Sequence, residues 1–320
     1  IAGTMITMCS QSWMSMWMGL EINLLSIIPL MTNQNNKMES EAAMKYFITQ
    51  AMASAIFLMT IIMVLPLDNQ MSKIQSLVIN CAILTKMGAA PFHFWFPVVM
   101  EGLNWTNATI MLTWQKIAPM TILMQTNKSM IFMSTIMLTA MMISGIMGIN
   151  QTSIKKILAY SSINHTGWMI GAMMTNQTTW MIYLTIYTLM TVNITLLLKT
   201  TNIFSLTQFL NSMNNNKSMK LIFSMNFLSM GGIPPFIGFF PKWIVINSMI
   251  NANMFTTTVV MIISTLMTIF FYLRITIKTM IINQTEMTTS KMNSKTPFIM
   301  KLNAMLLASL TLTPLMISFI

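Results

Sequence analysis

Apolar stretches of near twenty residues follow one another along almost the whole chain, separated by short polar connectors. A helix rises ~1.5 Å per residue, so about twenty residues cross the ~30 Å hydrocarbon core of a bilayer. The pattern predicts eleven helices, over residues 1–9, 11–31, 43–66, 74–98, 105–125, 129–149, 154–174, 178–199, 220–249, 255–277 and 299–319. The connectors carry turn chemistry: Asn33, Asn35, Asn36, Lys37, Glu39 and Glu41 in 32–42, Asn214 to Lys217 in 200–219, and Glu286, Lys291, Lys295 and Pro297 in 279–298. Spans 74–98 and 220–249 are too long for one straight crossing, and both contain Gly and Pro. The chain begins with Ile1 and its first span is short, so the first helix reads as truncated, with no cleavable signal visible.

Composition fixes the solvent. The chain is 55% hydrophobic and 7% charged, with mean hydropathy +0.67. A soluble domain carries roughly 25% charged residues, so this chain cannot cover a water-facing surface. The net charge of +11 therefore points to asymmetric loops rather than to a nucleic-acid partner, because no soluble domain exists to hold one. Twelve of the 17 basic residues fall after even-numbered helices, from Lys37 and Lys45 to Arg274, Lys278 and Lys301. Two, Lys73 and Lys128, follow odd-numbered helices. Basic residues concentrate on the inner side of membrane proteins, which puts the amino end inside and the carboxyl end outside. Cys9 and Cys81 lie within apolar segments and read as packed side chains, not as a disulfide or metal pair.

The remaining lysines, Lys86, Lys116 and Lys242, fall within apolar spans, as does Glu21. A charge at the bilayer centre costs at least ~2.5–3.5 kcal/mol and survives facing protein or water, usually with a partner. Each has a plain alternative. A lysine near a helix end snorkels to the headgroups, with Trp243 beside Lys242 as an interface marker, and Glu21 fits a static ion pair. Four such groups on four helices suggest a chain that takes up and releases protons. Burial disfavours the charged form and a nearby opposite charge favours it, so a neighbour's charge can switch each group. His93 and His165 also sit at membrane depth, and histidine titrates near neutral pH; a simple buried hydrogen bond is the alternative role for both.

The two long spans share a motif. Met87-Gly88-Ala89-Ala90-Pro91 and Met230-Gly231-Gly232-Ile233-Pro234 both read Met-Gly-x-x-Pro, 143 residues apart, and both go on to aromatic-Phe-Pro. Proline lacks an N–H and clashes with the preceding turn, so each helix is predicted to break there, against protein or a water-filled cavity. The breaks fall on the fourth and ninth spans, an odd number of steps apart, which allows opposite topologies, the pattern of transporters with inverted repeats. A packing kink is the alternative. The sequence shows no phosphate-binding glycine loop, no cysteine cluster and no metal-spaced His or carboxylate pair, so redox chemistry is not expected in this chain.

Several stretches resemble the subunit 2 family of the proton-pumping NADH:quinone oxidoreductase, respiratory complex I. They are Lys86-x-Gly-x-Ala-Pro-Phe-His-Phe-Trp, Leu112 to Pro119 with Lys116, and Gly148-x-Asn-Gln-Thr. Ala159 to Ile163, Ser229 to Pro235, and the Glu21 stretch Gly19 to Asn23 complete the set. The resemblance covers about residues 11–277 and implies an all-α membrane protein of about eleven transmembrane helices, built as antiporter-like inverted five-helix repeats with two discontinuous helices. Those repeats would be 1–125 and 129–277, followed by a loop and final helix in 278–320. Eleven helices match the shortened animal form of the family, which lacks the first three helices of the bacterial subunit. The resemblance further implies a proton-translocating membrane-arm subunit, with Glu21 pairing with Lys86, Lys116 as central relay and Lys242 toward the exit. A standalone cation/proton antiporter and a purely structural subunit are the competing readings. FMN, iron–sulfur clusters and ubiquinone belong to the complex as a whole; the implied partners are other membrane-arm subunits, neighbouring antiporter-like subunits among them, and lipids such as cardiolipin. The implied location is the mitochondrial inner membrane, amino end in the matrix and carboxyl end in the intermembrane space. The 42 methionines and the single arginine fit an AT-rich mitochondrial genome that reads ATA as Met, and Met100 to Trp105 suggests an arthropod.

Overall fold

A computed structural model describes residues 1–32, 36–64, 72–126, 129–213 and 217–281. Every predicted span within them holds helix, interrupted in 74–98, 105–125 and 220–249; the predicted span 299–319 lies outside the described residues. The chain divides into two compact units, Ile1–Ala140 and one beginning at Met141. Among the described residues there is no strand, only an isolated bridge between Ser153 and Ser205.

The first unit contains α1 (Ala2–Cys9), α2 (Trp13–Met31), α3 (Lys37–Val64), α4 (Lys73–Met87), α5 (Trp95–Gly102), α6 (Trp105–Leu112), α7 (Trp114–Gln125) and the start of α8 (Met130–Ile149). α1 and α2 cross closely: a Cβ on Gly3 would lie 2.8 Å from the Gly19 carbonyl oxygen, and one on Gly19 would lie 2.8 Å from that of Gly3. Small residues at a crossing let membrane helices approach, and this one fixes the half of α2 that carries Glu21. At the start of α4, Ser72 and Gln75 form a capping box, with side chain and backbone satisfied reciprocally at 3.3 and 2.9 Å.

The second unit contains α9 (Ile154–Thr175), α10 (Gln177–Thr201), α11 (Leu206–Met213), α12 (Lys217–Gly231), α13 (Phe239–Asn251) and α14 (Phe255–Ile281). α9 is its core: every residue from Lys155 to Met173 except Lys156 is buried. The hydroxyls of Ser161, Ser162 and Thr166 donate to carbonyls one turn back, which satisfies them without water.

Outward-facing positions are apolar on both units, with Leu25, Ile48, Met59, Ile131, Met181 and Leu266 all exposed. Among the described residues five helices, α2, α3, α8, α10 and α14, are each long and apolar enough to cross a membrane. The protein is a multi-pass, all-helical membrane protein. Two local readings need correction. Span 105–125 is two helices that part at Thr113, and Pro119, inside α7, removes the N–H that the Gln115 carbonyl would accept and leaves the first turn of α7 less firmly held. The connector 200–219 holds α11, an amphipathic helix of about two turns whose Phe209 packs edge-on against Phe223 and Phe227. Its polar Thr207, Gln208, Asn211 and Ser212 mask it from a search for apolar runs.

Candidate functional site

The first break separates α4 from α5. Lys86 sits in the last turn of α4, buried at 8% exposure, and Gly88 follows with φ +68°. Only glycine adopts that left-handed turn without strain, and a Cβ there would also press on Phe96 at 3.1 Å. Three of the carbonyls at the end of α4 find partners. Leu84 accepts from the Ala89 N–H at 3.1 Å, Thr85 from the Gly88 N–H at 3.2 Å and the Trp95 indole at 3.0 Å, and Lys86 from the Gln50 amide at 3.4 Å. His93 lies in the unwound stretch, 2% exposed, its Nδ1 3.3 Å from the Pro91 carbonyl oxygen.

A small cavity opens beside Lys86, lined among others by Asn23, Tyr46, Gln50 and Gln115, with room for about one water molecule. Glu21, half-buried two residues before Asn23, acts electrostatically on Lys86 without a direct ion pair. Lys116 follows Gln115 in the first turn of α7; it is 3% exposed, and its ammonium lies 5.6 Å from the centre of the Phe96 ring. The structure thus brings Glu21, Lys86, Lys116 and His93 into one unit, with Lys86 at the cavity and Glu21 on the helix that supplies Leu20, Asn23 and Leu24 to its lining.

The second break, between α12 and α13, repeats four backbone hydrogen bonds of the first. Ile233 donates to the Leu228 carbonyl at 3.4 Å, Gly232 to Ser229 at 3.0 Å, Phe236 to Ile233 at 2.9 Å and Phe240 to Ile237 at 3.3 Å. In the first break Ala89, Gly88, Phe92 and Phe96 do the same to Leu84, Thr85, Ala89 and His93. The left-handed residue is Gly232, φ +75°, so the register runs from 88 to 232, an offset of 144. The sequence motif, anchored on Gly231, misses this by one: it matches letters, whereas the fold matches the sign of φ. In the true register Pro91, Trp95, Phe96 and Pro97 correspond to Pro235, Phe239, Phe240 and Pro241, and the lysines do not correspond at all.

Lys242, 5% exposed, donates to the Gly231 carbonyl at 2.7 Å and lies 5.9 Å from the Trp168 ring centre. It therefore caps the carbonyl end of α12, where the helix dipole favours a cation. Lys86 stands at the equivalent end of α4. His165 on α9, 2% exposed and one turn from Trp168, meets the Tyr183 hydroxyl at 2.8 Å, with the Tyr187 ring 5.0 Å away. Asn164 donates to Thr268 at 3.3 Å, and Asn193 to Asn226 at 3.1 Å beside the break. Sequence reading passed over the amides Asn23, Gln50, Gln115, Asn193 and Asn226; the available signal was polar groups on apolar spans that also carry lysines or breaks. Among the described residues no group of three or more His, Cys, Asp or Glu is placed to hold a metal ion.

Residues 10–268 match the family of NADH:quinone oxidoreductase/Mrp antiporter transmembrane proteins. The chain is 45% identical to NADH-ubiquinone oxidoreductase chain 2 of Anopheles gambiae, over 88% of this chain and 84% of that one. It is 41% identical to the chain of the same name in Aedes aegypti (92% and 87% covered) and 38% identical to that of Loxodonta africana (86% and 82%). In fold it is similar to a chain of respiratory complex I from Thermus thermophilus, with TM-score 0.84 and 23% identity, covering 98% of this chain and 76% of that one. A chain of the Mrp complex from Dietzia sp. is also similar, with TM-score 0.77 and 14% identity over 91% of this chain and 60% of that one.

Proposed function

The chain belongs to the NADH:quinone oxidoreductase/Mrp antiporter transmembrane family, among the NADH-ubiquinone oxidoreductase chain 2 proteins, and from that premise we propose how its buried charges work. It is a core membrane-arm subunit of respiratory complex I and takes part in proton translocation coupled to NADH oxidation and ubiquinone reduction. We infer that it lies in the mitochondrial inner membrane, amino end in the matrix. Its repeats, 1–125 and 129–277, are inverted, and it sits among antiporter-like neighbours and lipids such as cardiolipin.

Quinone is reduced elsewhere in the complex. That event reaches Glu21 through neighbouring subunits and changes its hold on Lys86; Lys86 then drives a proton on or off Lys116, and onward toward Lys242. Coulomb coupling between such groups is strong only where water is sparse. His165, hydrogen-bonded to Tyr183, and His93, in the unwound stretch, are side branches of the path. The observation that supports this reading best is the burial of Lys86 and Lys116, 8% and 3% exposed, in one unit with a small polar cavity. Gln50 and the α4 terminus hold the backbone around it.

The test is an assembled complex carrying Lys116→Ala. A proton-transfer group contributes ~10²–10⁴ in rate where its step limits, so coupled turnover should fall about tenfold or more while assembly persists. Normal pumping in that complex refutes the relay. A standalone antiporter would work without hydrophilic redox subunits; copurification with them separates the two.

A further inference from the structure

Asn23 and Gln115 are 92 positions apart in sequence, yet their amides meet head to head, Asn23 Nδ2 to Gln115 Oε1 at 3.0 Å and Gln115 Nε2 to Asn23 Oδ1 at 3.1 Å. Both line the cavity beside Lys86. Asn23 follows Glu21 by two residues on α2, and Gln115 immediately precedes Lys116 in the first turn of α7. The pair therefore ties the helix of the carboxylate to the helix of the second lysine, across the space into which Lys86 faces. Residue 115 lies two positions after the Thr113 break, where α7 is not held by a continuous helix from α6. A side-chain tie at this place sets the orientation of the turn that carries Lys116.

We propose that the reciprocal Asn23–Gln115 amide pair is a positioning element that couples α2 to the Lys116 turn and holds the wall of the Lys86 cavity. A displacement of α2 at Glu21 reaches α7 through this pair, and breaking the pair disconnects the carboxylate's movement from Lys116. The inference rests on the relay reading given above.

The test uses the assembled complex and reads both NADH oxidation and protons moved per NADH. Gln115→Asn keeps an amide but shortens it by one methylene, which opens the pair without placing a new group in lipid. Loss of a reciprocal hydrogen-bonded contact predicts a fall of about fivefold in coupled turnover with a lower proton yield. Adding Asn23→Gln restores the combined length and should recover most of both. A second, apolar pair, Asn23→Leu with Gln115→Met, removes the amides at nearly constant volume and should pump as poorly as Gln115→Asn alone. Native proton yield in Gln115→Asn, or no recovery in the exchanged pair, overturns the proposal. Lys116→Ala is run alongside. If it abolishes pumping while Gln115→Asn does not, the amide tie fails and the relay stands; if Lys116→Ala pumps normally, the relay itself fails.

Discussion

Each buried lysine is tolerated by a particular local arrangement. Lys242 rests on the last carbonyl of α12, and its path to that oxygen depends on the absence of a side chain at Gly232. A Cβ there would fall 2.7 Å from the ammonium nitrogen and 2.9 Å from Cδ and Cε, and the left-handed φ of +75° adds ~1–2 kcal/mol of strain. Gly232→Ala is therefore expected to displace Lys242 from the Gly231 carbonyl and destabilise the α12–α13 break. Thermal stability of the assembled complex falls and coupled turnover falls with it. Unchanged stability and pumping would show that the contact is incidental. The corresponding glycine of the first break, Gly88, faces Phe96 instead of a lysine, so Gly88→Ala should strain the backbone without moving a charge.

At the scale of elements, the breaks do the work that straight helices cannot: they end a helix within a long span and leave carbonyls for side chains to answer. In the first unit neutral groups answer, the Trp95 indole and the Gln50 amide; in the second an ammonium answers. The third interruption, at Thr113, aims Lys116. Pro119→Ala returns an N–H and a better helix former to α7, so the α6–α7 turn should straighten and carry Lys116 with it. The expected result is an assembled complex of equal or greater stability with coupled turnover lowered several-fold; an unaltered rate would mean that the bend at Thr113 does not position the lysine. The long breaks were legible in the sequence because Gly and Pro act locally and the motif occurs twice. The lysines were legible because charge is so scarce. The Thr113 break was not, since neither Gly nor Pro stands at it. The amide tie was not, since Asn23 and Gln115 are brought together only by the packing of α2 on α7. α11 was hidden by its own polarity, and the repeat register was misread by one because consecutive glycines, Gly231 and Gly232, differ in φ and not in letter.

For the whole molecule, the basic residues give an orientation. We predict that Lys199→Cys, exposed near the end of α10, reacts with a membrane-impermeant maleimide from the matrix side, and that Asn176→Cys, exposed at its start, reacts from the opposite side. A Cys9→Ser background removes the exposed native thiol. Labelling of both from one side would break the helix count, and labelling from exchanged sides would invert the orientation. The larger claim is that ionisable side chains lie deep in lipid because they hand charge along a hydrated axis. Its most direct test is a high-resolution map of the assembled complex that resolves ordered water. The account predicts water in the cavity bounded by Asn23, Gln50, Lys86 and Gln115, continuing in hydrogen-bonded steps to the Lys116 ammonium. A dry, fully packed wall between Lys86 and Lys116, or either ammonium turned to the headgroups, would contradict it.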